Sequence, residues 1–168
     1  YPSDVLLHPP LGWIPPSPAL SHPNAVAAYP GLVLLEATNV SECRGTSVSF
    51  RAVAAPGLDA EALARAVNHW STGFAAAPRD IFFTRSPKAG QTLRGVVLWP
   101  RKGPRHDPLG LGVHLLAWLI ANYPDFAWLP AGEDNFAIDN LIGRTDLRTQ
   151  LNAGVSADKI LQGWRTAD

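Results

Sequence analysis

The stretch GLVLLEATN, residues 31–39, decides how the chain is read, because it is apolar, rich in β-prone residues and bounded by Pro30-Gly31 and a polar turn. Those properties predict a buried strand. Alternation would place Glu36 on one face with Leu32, Leu34 and Thr38, and Val33, Leu35 and Ala37 on the other. A carboxylate within such a strand requires a partner or a wet cleft. Upstream, residues 1–30 hold eight of the sixteen prolines, with Trp13, Ile14 and Leu20 among them. Proline fixes its own backbone and restrains the preceding residue, so this part is expected to be an extended strap docked on the rest. Residues 31–168 are then one domain.

Downstream the periodicity changes. Asp59 caps a helix in which Leu63, Ala66, Val67 and Trp70 share a face and Gly73 is the stop. Residues 81–84 and 95–99 read as strands around a Pro-Lys-Ala-Gly loop. Asp107-Pro108 opens a helix that Pro124 ends, and residues 145–153 and 156–164 are two further short helices. Strands and helices mix without strict alternation, which predicts an α+β fold: a small mixed or antiparallel sheet with packed helices.

Composition narrows the function. The 168 residues carry fourteen basic and fourteen acidic side chains, and 46% are hydrophobic, which suits one core-forming domain. A neutral chain lacks the clustered Lys and Arg expected of a nucleic-acid or anionic-membrane partner. No run reaches the length of a transmembrane segment, since the longest apolar stretch, residues 109–121, contains His114 and two glycines. A single Cys43 builds no disulfide framework, and the five histidines have no metal-site spacing, so neither metal nor cofactor is expected. Gly110-Leu111-Gly112 lacks the third glycine and the preceding strand of a dinucleotide fingerprint. The chain has no Met and opens at Tyr1, which either N-terminal processing or excision from a longer protein would explain.

The chemistry concentrates in EATNVSECRGT, residues 36–46, which gathers two carboxylates, a guanidinium, an amide and three hydroxyls after the apolar run. Arg44 could grip a carboxylate with two hydrogen bonds, while Asn39, Ser41 and Thr46 could bond sugar hydroxyls or an acetamido group. The bland alternative is a hydrogen-bonded turn in which Arg44 pairs with Glu36 or Glu42. Cys43 is a poor nucleophile candidate, because Glu42 opposes its thiolate and no His is near in sequence. Asp139 and Asp146 near Arg144 read as cap and ion-pair residues.

Residues 29–46, YPGLVLLEATNVSECRGT, resemble the signature of NamZ-type exo-β-N-acetylmuramidases, whose pattern reads YPG…LLE-x-TN-x-SEGRGT. Gly12-Trp-Ile-Pro-Pro-Ser-Pro18 is similar to the same family's GLPWVPPSPN stretch, and looser matches follow at residues 86–90, 93–96 and 143–146. The resemblance implies the C-terminal half of a two-part enzyme that removes terminal N-acetylmuramic acid from peptidoglycan fragments. The Rossmann-like N-terminal half, with its Glu-His motif and proposed catalytic glutamates, is absent here. It would be the partner, either in the same protein or as a separate chain.

On that resemblance Glu36, Asn39, Ser41, Glu42, Arg44 and Thr46 bind a muramic-acid-containing saccharide, no catalytic residue is assigned to this chain, and alone it should be inactive. By its chemistry Arg44 suits the lactyl carboxylate. Secretion or a periplasmic location is implied. The chain departs from the pattern at Cys43, where the family has Gly, so a positive φ there would strain the backbone. The alternative is a diverged, inactive homologue acting as a structural or interaction subunit of a larger assembly.

Overall fold

A computed structural model describes residues 14–166, apart from Ser86, Pro104 and Asp134. Residues 31–39 are not a strand. Helix α1 spans Pro23–Leu32, and a 3-10 segment, Val33–Ala37, continues it. The start is explained locally: the His22 imidazole accepts a bond from the Asn24 amide at 3.0 Å, and Pro23 sits where a missing N–H costs nothing. The strand expectation treated Pro30-Gly31 as a break, whereas both lie in the last turn of the helix. Ala25, Ala28 and Leu32 are buried at helical spacing. Beyond them Glu36 and Asn39 are exposed three residues apart, Val33 is half-buried against the core, and Leu34, Leu35 and Ala37 are buried. Three residues per turn is the 3-10 period, and it replaces the expected two-residue alternation.

The extended strap is also revised where it is described. Residues 18–20 form a 3-10 turn capped by Ser17, and helicity begins at Pro23; residues 1–13 lie outside the described part. The later elements follow the sequence more closely. Strand β1 spans Ala52–Ala54, α2 Ala60–His69, β2 Phe74–Phe82, β3 Thr92–Pro100 and α3 Pro108–Asn122, followed by α4 Ala137–Ile142, α5 Asp146–Asn152 and α6 Ala157–Thr166. Asp59 caps α2 through the Ala62 amide at 2.8 Å, and Asp107 caps α3 through the Gly110 amide at 2.8 Å. Sequence reasoning missed β1 and α4 and made β2 and β3 too short. β2 begins at Phe74 on the run Phe-Ala-Ala-Ala-Pro, and Pro78 is tolerated because β2 is an edge strand.

The sheet is antiparallel with order β1-β3-β2, so the fold is α+β. Its two faces bury different clusters. Val53, Phe74, Ala76, Val96 and Leu98 join the main core with α1, α2 and α3. Ala52, Ala54, Ile81, Leu93 and Val97 face the other way, into a small second core that Cys43 and Val48 complete. The segment between the 3-10 turn and β1 is therefore a cover for the back of the sheet.

Helices α1 and α3 meet at two glycines. A Cβ added to Gly31 would lie 1.9 Å from the Pro108 carbonyl oxygen and 2.9 Å from the Gly112 nitrogen. One added to Gly112 would lie 2.6 Å from the Gly31 oxygen. Gly110-Leu111-Gly112, so like half a fingerprint, serves helix crossing at its second glycine. Gly31→Ala gains about 1 kcal/mol of helix propensity, but the obstacle is backbone and cannot swing aside. A net destabilisation of about 1–3 kcal/mol is expected in denaturant unfolding. Gly163→Ala, on an exposed turn of α6 with nothing within 4 Å of the added carbon, should instead be neutral or stabilising.

Candidate functional site

The polar run leaves the 3-10 turn at Thr38 and is pinned at each step. The Thr38 hydroxyl donates to the Leu35 carbonyl at 2.9 Å and accepts from the Val40 amide at 3.1 Å. Ser41 exchanges backbone bonds with Ala54 at 2.9 and 3.0 Å, which ties the run to the edge of β1. Its hydroxyl accepts from the Cys43 amide at 3.1 Å. Thr46 donates to the Cys43 carbonyl at 2.7 Å and accepts from the Val48 amide at 3.1 Å. Serine and threonine hydroxyls commonly hold loops in this way. Gly45, at φ 85°, lets its carbonyl accept from the amides of Thr84 and Arg85, each at 3.1 Å, just after β2.

Asn39 clamps a second segment. Its amide nitrogen donates to the Asp125 carbonyl at 2.6 Å, its side-chain oxygen accepts from the Ala127 amide at 3.0 Å, and its backbone amide donates to the Ala127 carbonyl at 3.1 Å. This fixes the 125–129 stretch, where Trp128 forms an isolated bridge to Thr38, and sets Leu129 beside the loop.

Arg44 is the exposed centre of the run. Its Nε donates to Glu42 at 3.2 Å and its Nη2 to Glu36. Cζ lies 5.1 Å from the centroid of the Phe50 ring. Partial burial pulls the guanidinium pKa down, but the bonds and charges of Glu42 and Glu36 more than reverse this and hold it above its ordinary value. The turn reading and the site reading thus coexist: Arg44 does pair with both glutamates, and the pairs line an open cleft.

That cleft, about 700 Å³, is bordered by Glu36, Asn39, Ser41, Glu42, Arg44 and Leu129. Five of the six candidate residues are brought together. Thr46 falls on an adjoining, more apolar cleft of about 570 Å³ with Ser49 and Thr84, and Arg44 stands between the two. Sequence reasoning about the 36–46 run missed Lys88, which reaches the first cleft from the β2–β3 loop. The Ser-Pro-Lys-Ala-Gly run was visible, but nothing local ties it to Arg44. Asp139 and Asp146 lie elsewhere, in ion pairs: Asp146 with Arg144, as the spacing suggested, and buried Asp139 with Arg148, whose Nη2 donates at 2.9 Å. Among the described residues no cluster of three or more His, Cys, Asp or Glu could hold a metal, and no helix is long and apolar enough to cross a membrane.

The chain is thus an α+β domain with an open polar cleft at the edge of its sheet. The family is settled by comparison: the chain belongs to the family described as Exo-beta-N-acetylmuramidase NamZ, C-terminal, whose model matches residues 27–167. It is 27% identical over 156 residues to the peptidoglycan beta-N-acetylmuramidase NamZ of Bacillus subtilis (strain 168), covering 92% of this chain and 37% of that protein. Its fold matches the crystal structure of a DUF1343 family protein from Bacteroides fragilis with a TM-score of 0.71 at 22% identity, over 88% of this chain and 40% of the other. The chain spans well under half the length of either relative.

Cys43 holds φ 60°, a conformation that glycine adopts without strain. Its side chain is fully buried in the second core. Burial first, and the Glu42 charge second, push the thiol pKa far above its ordinary value of 9.0, with Lys88 opposing. Below that value folded and unfolded chains both keep the proton. Above it only the unfolded chain ionises freely, so stability is lost as pH rises. Relative to Cys43→Ala, unfolding free energy should fall by up to about 1.4 kcal/mol per pH unit above the thiol range. The native thiol should also resist disulfide reagents until the protein unfolds.

Proposed function

We propose that this domain supplies the substrate-binding wall of a peptidoglycan exo-β-N-acetylmuramidase, with the catalytic acids coming from an N-terminal half. The observation that carries this reading is the placement of Arg44 between two carboxylates on the rim of an open, hydroxyl-bearing cleft. Family membership names the relevant chemistry: a peptidoglycan sugar bearing an acetamido group and, in muramic acid, a lactyl carboxylate.

A catalytic role for the loop itself is disfavoured by its geometry. Glycoside hydrolysis needs two carboxyl groups flanking the scissile bond. Glu36 and Glu42 instead approach one guanidinium. They suit acceptance of sugar hydroxyl and amide protons, and Ser41 and Asn39 extend the same wall.

Arg44 still has donors to offer, because a guanidinium carries five N–H groups. Glu36 is its more exposed partner, and exposed ion pairs of this kind contribute only about 0–1 kcal/mol. A ligand carboxylate can therefore take the place of Glu36 at little cost, while the better-buried Glu42 keeps the guanidinium in position. The same reading places the protein outside the cytoplasmic membrane, where peptidoglycan lies. The left-handed backbone at Cys43, φ 60°, supports it over a purely structural subunit, because glycine, the residue of the resembled pattern at this position, adopts that conformation without strain.

The test uses the whole protein. Release of N-acetylmuramic acid from a terminal disaccharide is expected, with no release by residues 1–168 alone. Arg44→Ala should weaken binding of N-acetylmuramic acid by about 10- to 100-fold, the cost of a charge-assisted bond, and leave N-acetylglucosamine nearly unaffected. Glu36→Gln should tighten the muramic acid complex. Equal losses for both sugars in Arg44→Ala would sink the carboxylate role, and a whole protein without hydrolytic activity that copurifies in fixed ratio with other chains would favour the structural subunit.

A further inference from the structure

We infer that Phe50 is a positioning residue that orients Arg44 for carboxylate recognition, an inference that rests on the binding role proposed for the cleft. Among the described residues only Cys43 and Phe50 are non-glycine residues at positive φ, 60° and 51°. They stand near the two ends of the same loop. The Phe50 amide donates to the Glu42 carbonyl at 2.9 Å, so the loop closes immediately before Cys43. A bulky residue with positive φ is a backbone outlier, and such outliers persist where the surroundings over-determine them.

The ring at that strained position is 1% exposed and packed in the main core. Tyr29, from the last turns of α1, meets it at 5.0 Å between centroids with the planes tilted by 58°. Arg44 meets it with Cζ at 5.1 Å from the centroid. A cation placed within about 6 Å of an aromatic centroid is attracted by the ring. The guanidinium is thereby held at three points: Nε by Glu42, Nη2 by Glu36, and its carbon over the Phe50 ring.

Three points define the orientation of a planar group. Two-pronged recognition of a carboxylate depends on that orientation, because both N–H bonds must run parallel to the two acceptor oxygens. Glu36 is the contact a ligand replaces, so in the bound state only Glu42 and the ring would remain to hold the plane. Phe50 touches no ligand in this arrangement. It acts through Arg44.

Phe50→Leu in the whole protein keeps an apolar side chain and removes the aromatic face. Its affinity for N-acetylmuramic acid, by titration calorimetry, should fall about two- to fivefold, with N-acetylglucosamine unchanged. In an Arg44→Ala background the same substitution should have no further effect on the ratio. Equal losses for both sugars, or an unchanged ratio, would overturn the positioning role. Should Phe50→Leu fail to fold, Tyr29→Leu, at a half-exposed position, should lower the ratio in the same direction, and an unchanged ratio there counts against the idea. The two readings fail separately. If the unaltered protein does not distinguish the sugars, the carboxylate-binding reading falls, and the positioning role is then read without ligand from the Arg44 Nε–H resonance: loss of its ring-current shift and of its slow exchange in Phe50→Leu supports it, and no change overturns it.

Discussion

The backbones of α1 and α3 come within contact distance at Gly31 and Gly112, where neither helix has room for a Cβ. The position of α1 on α3 is thus set by bare peptide groups, which deform less than side chains do. Two of the groups that hold Arg44 in place are attached to that crossing. The 3-10 segment Val33–Ala37 leaves α1 directly after Gly31-Leu32, and Glu36 projects from it. Tyr29, two residues before the crossing, reaches the Phe50 ring. A shift of α1 would displace the carboxylate and the aromatic support of Arg44 together.

The second constraint is the sheet. The sheet buries apolar side chains on both faces, and among the described residues helices pack on only one of them. The loop fills this need: Cys43 and Val48 turn inward onto Ala52, Ala54 and Val97, which forces the residues between them outward. Arg44 is exposed because Cys43 next to it is buried. The strain at Cys43 is offset by burial of its sulfur, and an apolar side chain in that cluster stabilises the cover in a way that glycine could not. Most of the loop's hydroxyls and its one amide are engaged in holding this shape.

Much of this was legible locally. Asp59 and Asp107 announce α2 and α3 because a capping side chain needs only the next three residues. Gly154 after α5, at φ 75°, is an equally local signal. The run at residues 36–46 identified the cleft because so many polar groups near an apolar core have few other uses. Residues 31–39 misled because apolar content says that a segment is buried without saying its period. The helical spacing of Ala25, Ala28 and Leu32 begins before Pro30 and was masked by reading proline and glycine as a boundary. β1 is three residues long and exists only through its partner β3, and α4 is short and lacks a side-chain cap, so neither leaves a distinct local mark.

By itself the sequence determined the α+β class, the helices capped by Asp59 and Asp107 and, through motif resemblance, the family and the loop that borders the cleft, because these depend on residue type and near-neighbour spacing. The tertiary structure alone decided that a predicted strand is a helix running into a 3-10 turn, that Lys88 and Leu129 border the same cleft as Arg44, and that Phe50 lies under its guanidinium. Those relations join groups far apart in the chain, and they are fixed by which faces must be covered and by how closely two helices can approach.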